Sequence, residues 1–323
     1  MTAWKESAGG RRALTILRSR PFLTVAIVAA VWIVASFVSR GFGAYGHLRY
    51  LVELAAVIGL VAAGQTFVVI AGGIDLSVAA IVTVSAVSLP LLSWQGDPTG
   101  LTAVLAVLAL TTTIGLVNGL GVALLRVHPM IMTLAMATFL QGLLIIIAGG
   151  SAVTAENPLV RWLGNARPAG IPAGVLLWVA VSVIVLAAMH ATSFGARLFA
   201  MGANPLAAAL SGVPVTSTTL AVYGISGFTS GLAGVLVLGM NGQGYVGIGD
   251  PYLLASIAAV VLGGTSILGG LGTYAGTIPG AILLVTITAL ITVVNASPGW
   301  RSILFGSLIL GLLLLSGREQ ARR

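Results

Sequence analysis

Apolar stretches long enough to cross a lipid bilayer follow one another along this chain, and charged side chains stay out of them. A spanning helix needs about 20 mostly apolar residues to cross a hydrocarbon core of roughly 30 Å. Residues 22–39, 48–71, 101–125, 130–148, 171–189, 219–240, 274–294 and 300–315 meet or approach that length, and two shorter runs, 78–93 and 253–267, lie among them. Only 7% of the residues are charged and 58% are hydrophobic, against roughly a quarter charged in a soluble domain. Such a chain cannot cover a water-facing surface, so lipid must be its solvent over most of its area. Backbone groups in lipid have to bond internally, which leaves helices or a closed barrel. Barrel strands alternate at period two, and these runs are continuously apolar. The expectation is an all-α polytopic membrane bundle of about ten transmembrane helices, with short or broken helices among them, forming a single transmembrane domain over residues 1–323.

Arginine and lysine set the orientation. With ten spans, ten of the fifteen basic residues fall on the side that holds both termini, so both termini are expected in the cytoplasm. The basic stretch 1–20 runs into a full-length apolar segment without a small-residue cleavage site, so the first span reads as retained rather than as a signal peptide. The net charge of +8 follows from this topology and calls for no nucleic acid. Lys5 is the only lysine, so no Gly-Lys-Ser/Thr phosphate loop exists. With no cysteine there is no thiolate chemistry. His47, His128 and His190 stand apart near span ends and read as interfacial or capping residues. No cofactor or metal site is expected on the chain, and no enzyme activity. Proton- and sodium-driven carriers place ionisable groups deep in their spans. Here only Glu53 lies inside an apolar run, in what reads as the first turn of its span. The energy source is therefore expected on another subunit.

Polar residues gather where spans break. The stretch AGGIDLS from Ala71 to Ser77 carries two glycines, and Asp75 or Ser77 can cap the next helix. It reads either as a tight capped turn or as a strained elbow beside the pathway. A second break, LGGTSILGGLG from Leu262 to Gly272, comes after one of the short runs and suits a re-entrant or broken helix. Both have the order apolar run, Gly-Gly, short polar stretch, which hints at an internal repeat. The insert 190–218 contains Asn204-Pro205, a good helix start, and Gly212 and Pro214, a good stop. A short apolar helix displayed to water points to a docking partner, with an amphipathic helix lying on the membrane as the alternative. Outside, the insert 151–172 is large enough for a small lid, with Trp162 an interfacial anchor, and the glycine-rich 241–252 is a turn or a substrate-facing loop. Within the spans, Gln65, Asn118 and Gln141 are candidates for interhelical hydrogen bonds or for the pathway, and Gly59, Gly64, Gly115, Gly119 and Gly121 permit close helix contacts.

These breaks also carry a resemblance. GQTFVVIAGGIDLS from Gly64 to Ser77 closely resembles the signature of the permease subunit of ribose-type ABC sugar importers, binding-protein-dependent inner-membrane components of the branched-chain amino acid/ribose type. Asn118-Gly119, then HPMIMTL from His128, GANPLAAALSG from Gly202, YGISG from Tyr223 and IAAVVLGGTS from Ile257 are similar to later blocks of that family, in order and at its spacing. The resemblance implies a permease dimer, identical or mixed, in the bacterial inner membrane. Two cytoplasmic ABC ATPase subunits would bind ATP and Mg and dock on it, and an extracytoplasmic sugar-binding protein would deliver a monosaccharide or related polyol. It makes Asn204, Pro205, Leu206 and Ala208 the coupling helix that meets the ATPase, and Gln65, Gly72, Gly73, Asp75, Ser77 and Asn118 the candidates for the pathway and its elbow. Where the family usually carries an acidic residue after Asn-Pro and a basic one three later, this chain has Leu206 and Ala209, so the partner permease is expected to carry the charged contact. A stand-alone channel or secondary carrier, and an ABC permease for branched-chain amino acids or nucleosides, are the alternatives.

Overall fold

The computed structural model describes residues 20–39, 41–93, 96–149, 151–293, 297, 299–300, 303–307 and 310–311. Residues 1–19 of the basic N-terminal segment, and much of the predicted span 300–315, lie outside the described residues.

The chain folds as α1 (Arg20–Val38), α2 (Tyr45–Ile70), α3 (Val78–Leu92), α4 (Leu101–Ala123), α5 (Pro129–Ala148), β1 (Val153–Thr154), α6 (Pro158–Asn165), α7 (Ala173–His190), α8 (Ser193–Ala203), α9 (Pro205–Leu210), α10 (Val215–Asn241), β2 (Gln243–Gly244), α11 (Pro251–Leu262) and α12 (Tyr274–Val293). It is an all-α bundle apart from β1 and β2, which pair antiparallel, Val153 with Gly244 and Thr154 with Gln243. Proline opens α5, α6, α9 and α11, at a position where its missing N–H is unneeded and its fixed φ already suits a helix.

Among the described residues, six helices, α2, α4, α5, α7, α10 and α12, are long and apolar enough to cross a membrane. The chain is therefore a multi-pass membrane protein. The two runs that the sequence reads as short, 78–93 and 253–267, are short helices here as well. Helices α3 and α11 have 15 and 12 residues, about 22 and 18 Å at 1.5 Å per residue, and neither spans the hydrocarbon alone.

Helix α2 runs through the centre. Of its most apolar 18-residue window 94% is buried, against 22% for α5 at the periphery. It packs on α7, α10, α11 and α12. Buried polar bonds tie three of these helices: Trp178 Nε1 donates to Tyr274 Oη at 2.9 Å, and Tyr274 Oη donates to the Gly59 carbonyl at 2.8 Å. Between lipid-immersed helices the hydrophobic drive is weak, so close backbone approach matters more. Helices α4 and α10 achieve it where Gly115 and Gly227 face each other, since a Cβ on either would strike the opposite backbone.

The end of the bundle that carries β1, β2 and α6 lies away from the end that carries α8 and α9. From β2 the chain turns back inward along α3. Gly244 lies against the Ala86 carbonyl, and Gly249 lies against Ala79 with its N–H donating to Thr83 Oγ1 at 3.1 Å. The loop 241–252 is thus a descending segment within the bundle, and α11 starts part-way down. Its short length stems from that starting depth.

Candidate functional site

The insert 190–218 holds two helices, one more than its sequence led us to expect. Thr192 Oγ1 accepts from the Gly195 N–H at 3.4 Å to start α8, and Phe194, Leu198 and Met201 turn one apolar face inward. That 4-then-3 spacing was a legible helix signal. The Phe194 ring packs 5.8 Å from Phe67 of α2. Asn204 then breaks the helix with extended backbone, and its Oδ1 accepts from the Ala207 N–H at 3.0 Å as the cap of α9. Helix α9 closes with the Gly212 N–H bonded to the Ala209 carbonyl and the Val213 N–H to the Ala208 carbonyl, both at 3.0 Å, with Gly212 at φ +83°. This is the Schellman arrangement, in which a left-handed glycine lets two trailing N–H groups satisfy orphan carbonyls.

The outward face of α9 carries Leu206 and Leu210, 72% and 82% exposed. Asn204 and Pro205 are exposed beside them, but Ala208 is buried. Ala208 is therefore corrected from a docking contact to a packing residue, because its position on the helix turns its methyl inward. Leu210, four residues after Leu206 and on the same face, is the exposed residue of that turn.

The first glycine break ends α2 with the same Schellman pair. Gly72 donates to the Val69 carbonyl and Gly73 to the Val68 carbonyl, each at 2.9 Å, with Gly72 at φ +85°. The chain then enters a fully buried polar knot. Asp75 Oδ1 accepts from the Ser77 N–H at 2.9 Å and from the Ser77 hydroxyl, and Asp75 Oδ2 accepts from Ser226 Oγ of α10 at 2.7 Å. Asn118 Nδ2 of α4 donates to Ser77 Oγ at 2.8 Å. Thr133 Oγ1 of α5 accepts from the Leu76 N–H at 3.0 Å and bonds back to the Pro129 carbonyl at 2.9 Å. The expected capping of α3 is corrected. Ser77 stands at the cap position without a side-chain cap bond, because its hydroxyl and the Asp75 carboxylate are spent on each other and on α4 and α10. The knot joins Asp75, Ser77 and Asn118, three of the residues that the sequence placed at the elbow. Thr133, Tyr223 and Ser226 lie in the blocks HPMIMTL and YGISG that carry the resemblance, but the sequence assigns none of them a role of its own. A Cβ on Gly73 would lie 2.8 Å from the Tyr223 hydroxyl, which seats the break against α10.

The second break ends α11 in the same manner: Gly264 donates to the Val261 carbonyl at 2.9 Å and Thr265 to the Val260 carbonyl at 3.2 Å, with Gly264 at φ +88°. Beyond Thr265 the chain forms an open loop with Leu268 and Leu271 exposed. Its Gly270 N–H donates to the Ile70 carbonyl at the end of α2, 2.9 Å away. The two breaks and the chain just before α9 therefore meet at one end of the bundle.

The remaining candidates sit elsewhere. Gln65 is fully buried in the central helix, enclosed by this chain's own helices, and no protein group bonds its amide. Gln141 lies on the exposed face of α5. Glu53 falls in the third turn of α2 rather than the first, because α2 starts at Tyr45, and its carboxylate lies 3.9 Å from Arg167 of the insert 151–172. That insert holds α6, capped by Asn157, whose Oδ1 accepts from the Val160 N–H at 3.1 Å. Its Trp162 is half exposed. Nearby, the Thr102 hydroxyl, with Thr99 and local N–H groups, holds the Asp97 carboxyl well below the usual carboxylate range. A cavity of about 740 Å³ opens between α2, α11 and α12, lined by His47, Tyr50, Asp250, Tyr252, Thr288 and Thr292 among others.

The fold is that of a polytopic membrane protein, with a capped, leucine-faced helix exposed beside two glycine breaks. The sequence signature of the family described as the branched-chain amino acid transport system / permease component matches residues 48–313, and the chain belongs to that family. It is a transport subunit, not an enzyme. The chain is 32% identical to the Ribose import permease protein RbsC of Escherichia coli (strain K12), over 98% of this chain and 99% of the relative. It is 32% identical to the L-arabinose transport system permease protein AraH of the same organism, over 91% and 89%. Identity is 29% with the Fructose import permease protein FrcC of Rhizobium meliloti, over 91% and 84%.

Proposed function

We propose that this chain is the membrane-spanning subunit of an ATP-driven importer that carries a monosaccharide or related polyol into the cytoplasm. The observation that carries this reading is α9, a six-residue helix fixed by Asn204 at its start and Gly212 at its end, with Leu206 and Leu210 turned to solvent. An apolar face that small cannot anchor a helix in lipid, and it lacks the basic rim of a surface-lying helix. It fits the groove of a soluble partner, and the partner that a subunit without its own ATPase requires is a cytoplasmic ABC ATPase, which binds ATP and Mg. The sugars in the names of the relatives supply the cargo class. Ten membrane segments, with α11 completed by the descending loop 241–252 before it, leave both termini in the cytoplasm. A second permease chain, identical or homologous, completes the pathway, lipid surrounds the pair, and an extracytoplasmic sugar-binding protein delivers cargo. The cavity beside Asp250 and Tyr252 lies toward the end opposite α9. Its aromatic rings, carboxylate and threonine hydroxyls suit the apolar faces and hydroxyls of a polyol.

Reconstitution with the cognate ATPase and binding protein tests this. Labelled ribose, arabinose or fructose is expected to enter proteoliposomes only with ATP and both partners, with leucine as the competing cargo. Leu206→Glu with Leu210→Glu is expected to abolish co-purification of the ATPase while the permease still inserts. Sugar uptake by the permease alone would overturn the reading.

A further inference from the structure

We propose that Gly72, Gly202, Gly269 and Gly270 form the junction through which movement of α9 reaches the membrane helices, so that these glycines position the moving parts of the transport cycle. This rests on the reading of α9 as the ATPase-docking helix.

Three backbone segments cross here without side chains between them. Gly202 lies two residues before the cap of α9, and a Cβ on it would overlap the Ile70 carbonyl oxygen and lie 2.7 Å from the Gly270 nitrogen. A Cβ on Gly269 would lie 2.9 Å from the Gly202 carbonyl oxygen and 3.0 Å from Gly72 Cα. One on Gly270 would lie 2.8 Å from Ala203 Cα. Those below 3.0 Å are nearer than real Cβ atoms come, the 3.0 Å approach to Gly72 is tight, and the obstructing atoms are backbone, which cannot swing aside. The Gly270 N–H to Ile70 carbonyl bond fastens the second break to the end of α2 at the same point. Side chains at a contact act as cushions, because their rotamers absorb small shifts. Backbone packed on backbone has no such slack, and tightly packed elements shift between discrete arrangements rather than deforming. A push on α9 therefore moves both breaks together. The first break leads within three residues to Asp75, bonded into α10 and, through Ser77, into α4. The second leads into α11 and α12. One displacement at the junction is delivered to two separate sets of membrane helices.

The left-handed backbone of Gly72, Gly269 and Gly270 (φ +85°, +87° and +72°) also favours glycine, so strain has to be separated from contact. Gly149, at φ +57° with nothing within 4 Å of its absent Cβ, carries the strain without the contact. The test uses the complete transporter in proteoliposomes. In Gly269→Ala and Gly270→Ala the ATPase is expected to co-purify as in the wild type and ATP hydrolysis to persist. Sugar imported per ATP is expected to fall about tenfold or more, within the range over which coupled sites act on one another. Gly149→Ala is expected to keep the wild-type ratio. Hydrogen exchange of the unsubstituted transporter supplies a second measurement that needs no variant. On trapping the ATP-bound state, amides in 70–73 and 266–272 are expected to change protection together with 203–210. Wild-type import per ATP in Gly270→Ala, or a response confined to 203–210, overturns the junction. An ATPase that still binds after Leu206→Glu with Leu210→Glu overturns the docking reading instead, so the two failures are told apart.

Discussion

The two glycine breaks end their helices by the same hydrogen-bond pattern and then part. After Gly73 the chain goes inward, and within four residues three of its polar groups are bonded to three different helices: Asp75 to α10, Ser77 to α4, and the Leu76 N–H to α5. After Thr265 the chain goes outward, and Leu268 and Leu271 lie at the surface beside α9. The internal repeat hinted at by Gly-Gly is therefore a repeat of helix ends and not of the segments beyond them. One break is anchored in the bundle, and the other is held by backbone at the rim. A device that transmits motion needs both, a part that can be pushed and a part fixed to the helices that must move.

The largest effect should come from cutting the anchor. Asp75→Ala removes the acceptor shared by Ser77 and Ser226 and leaves their donors buried, at a cost of about 3 kcal/mol. Thermal unfolding of the purified permease checks this, and Asp75→Asn is expected to recover part of the loss because its amide oxygen still accepts. A full-stability Asp75→Ala protein would mean the two breaks are alike after all. Thr133→Val, which leaves the Leu76 N–H without its partner from α5, should cost about 1 kcal/mol by the same assay. The smallest effect is expected on the other side of the comparison: Leu268→Ser with Leu271→Ser should change stability by less than about 0.5 kcal/mol, since exposed substitutions seldom do more. A large loss there would show the outward loop to be packed.

Much of the site was legible residue by residue. Asn204 as cap and Gly212 as stop came from local chemistry, because a cap is decided by atoms three residues apart. The buried Asp75 was legible as a polar residue in a break but not as the centre of a knot, since Ser226 lies 151 positions away and the block YGISG that contains it does not say what it bonds. Ala208 was misplaced because a six-residue helix gives too little periodicity to say which side faces in. The α8 and α6 helices were missed although each starts with a recognisable cap, Thr192 and Asn157. The apolar stripe of α8 at Phe194, Leu198 and Met201 was also there to be read.

Composition and apolar run length alone settled that this chain lives in lipid as helices, because no arrangement of so few charges could satisfy water and no exposed backbone could satisfy hydrocarbon. They could not settle depth, crossing or contact. That the loop before α11 dives along α3, and that Gly72, Gly202 and Gly269 come together, are consequences of how distant segments exclude one another in space. The absence of a side chain tells of a close neighbour only once the neighbour is in place.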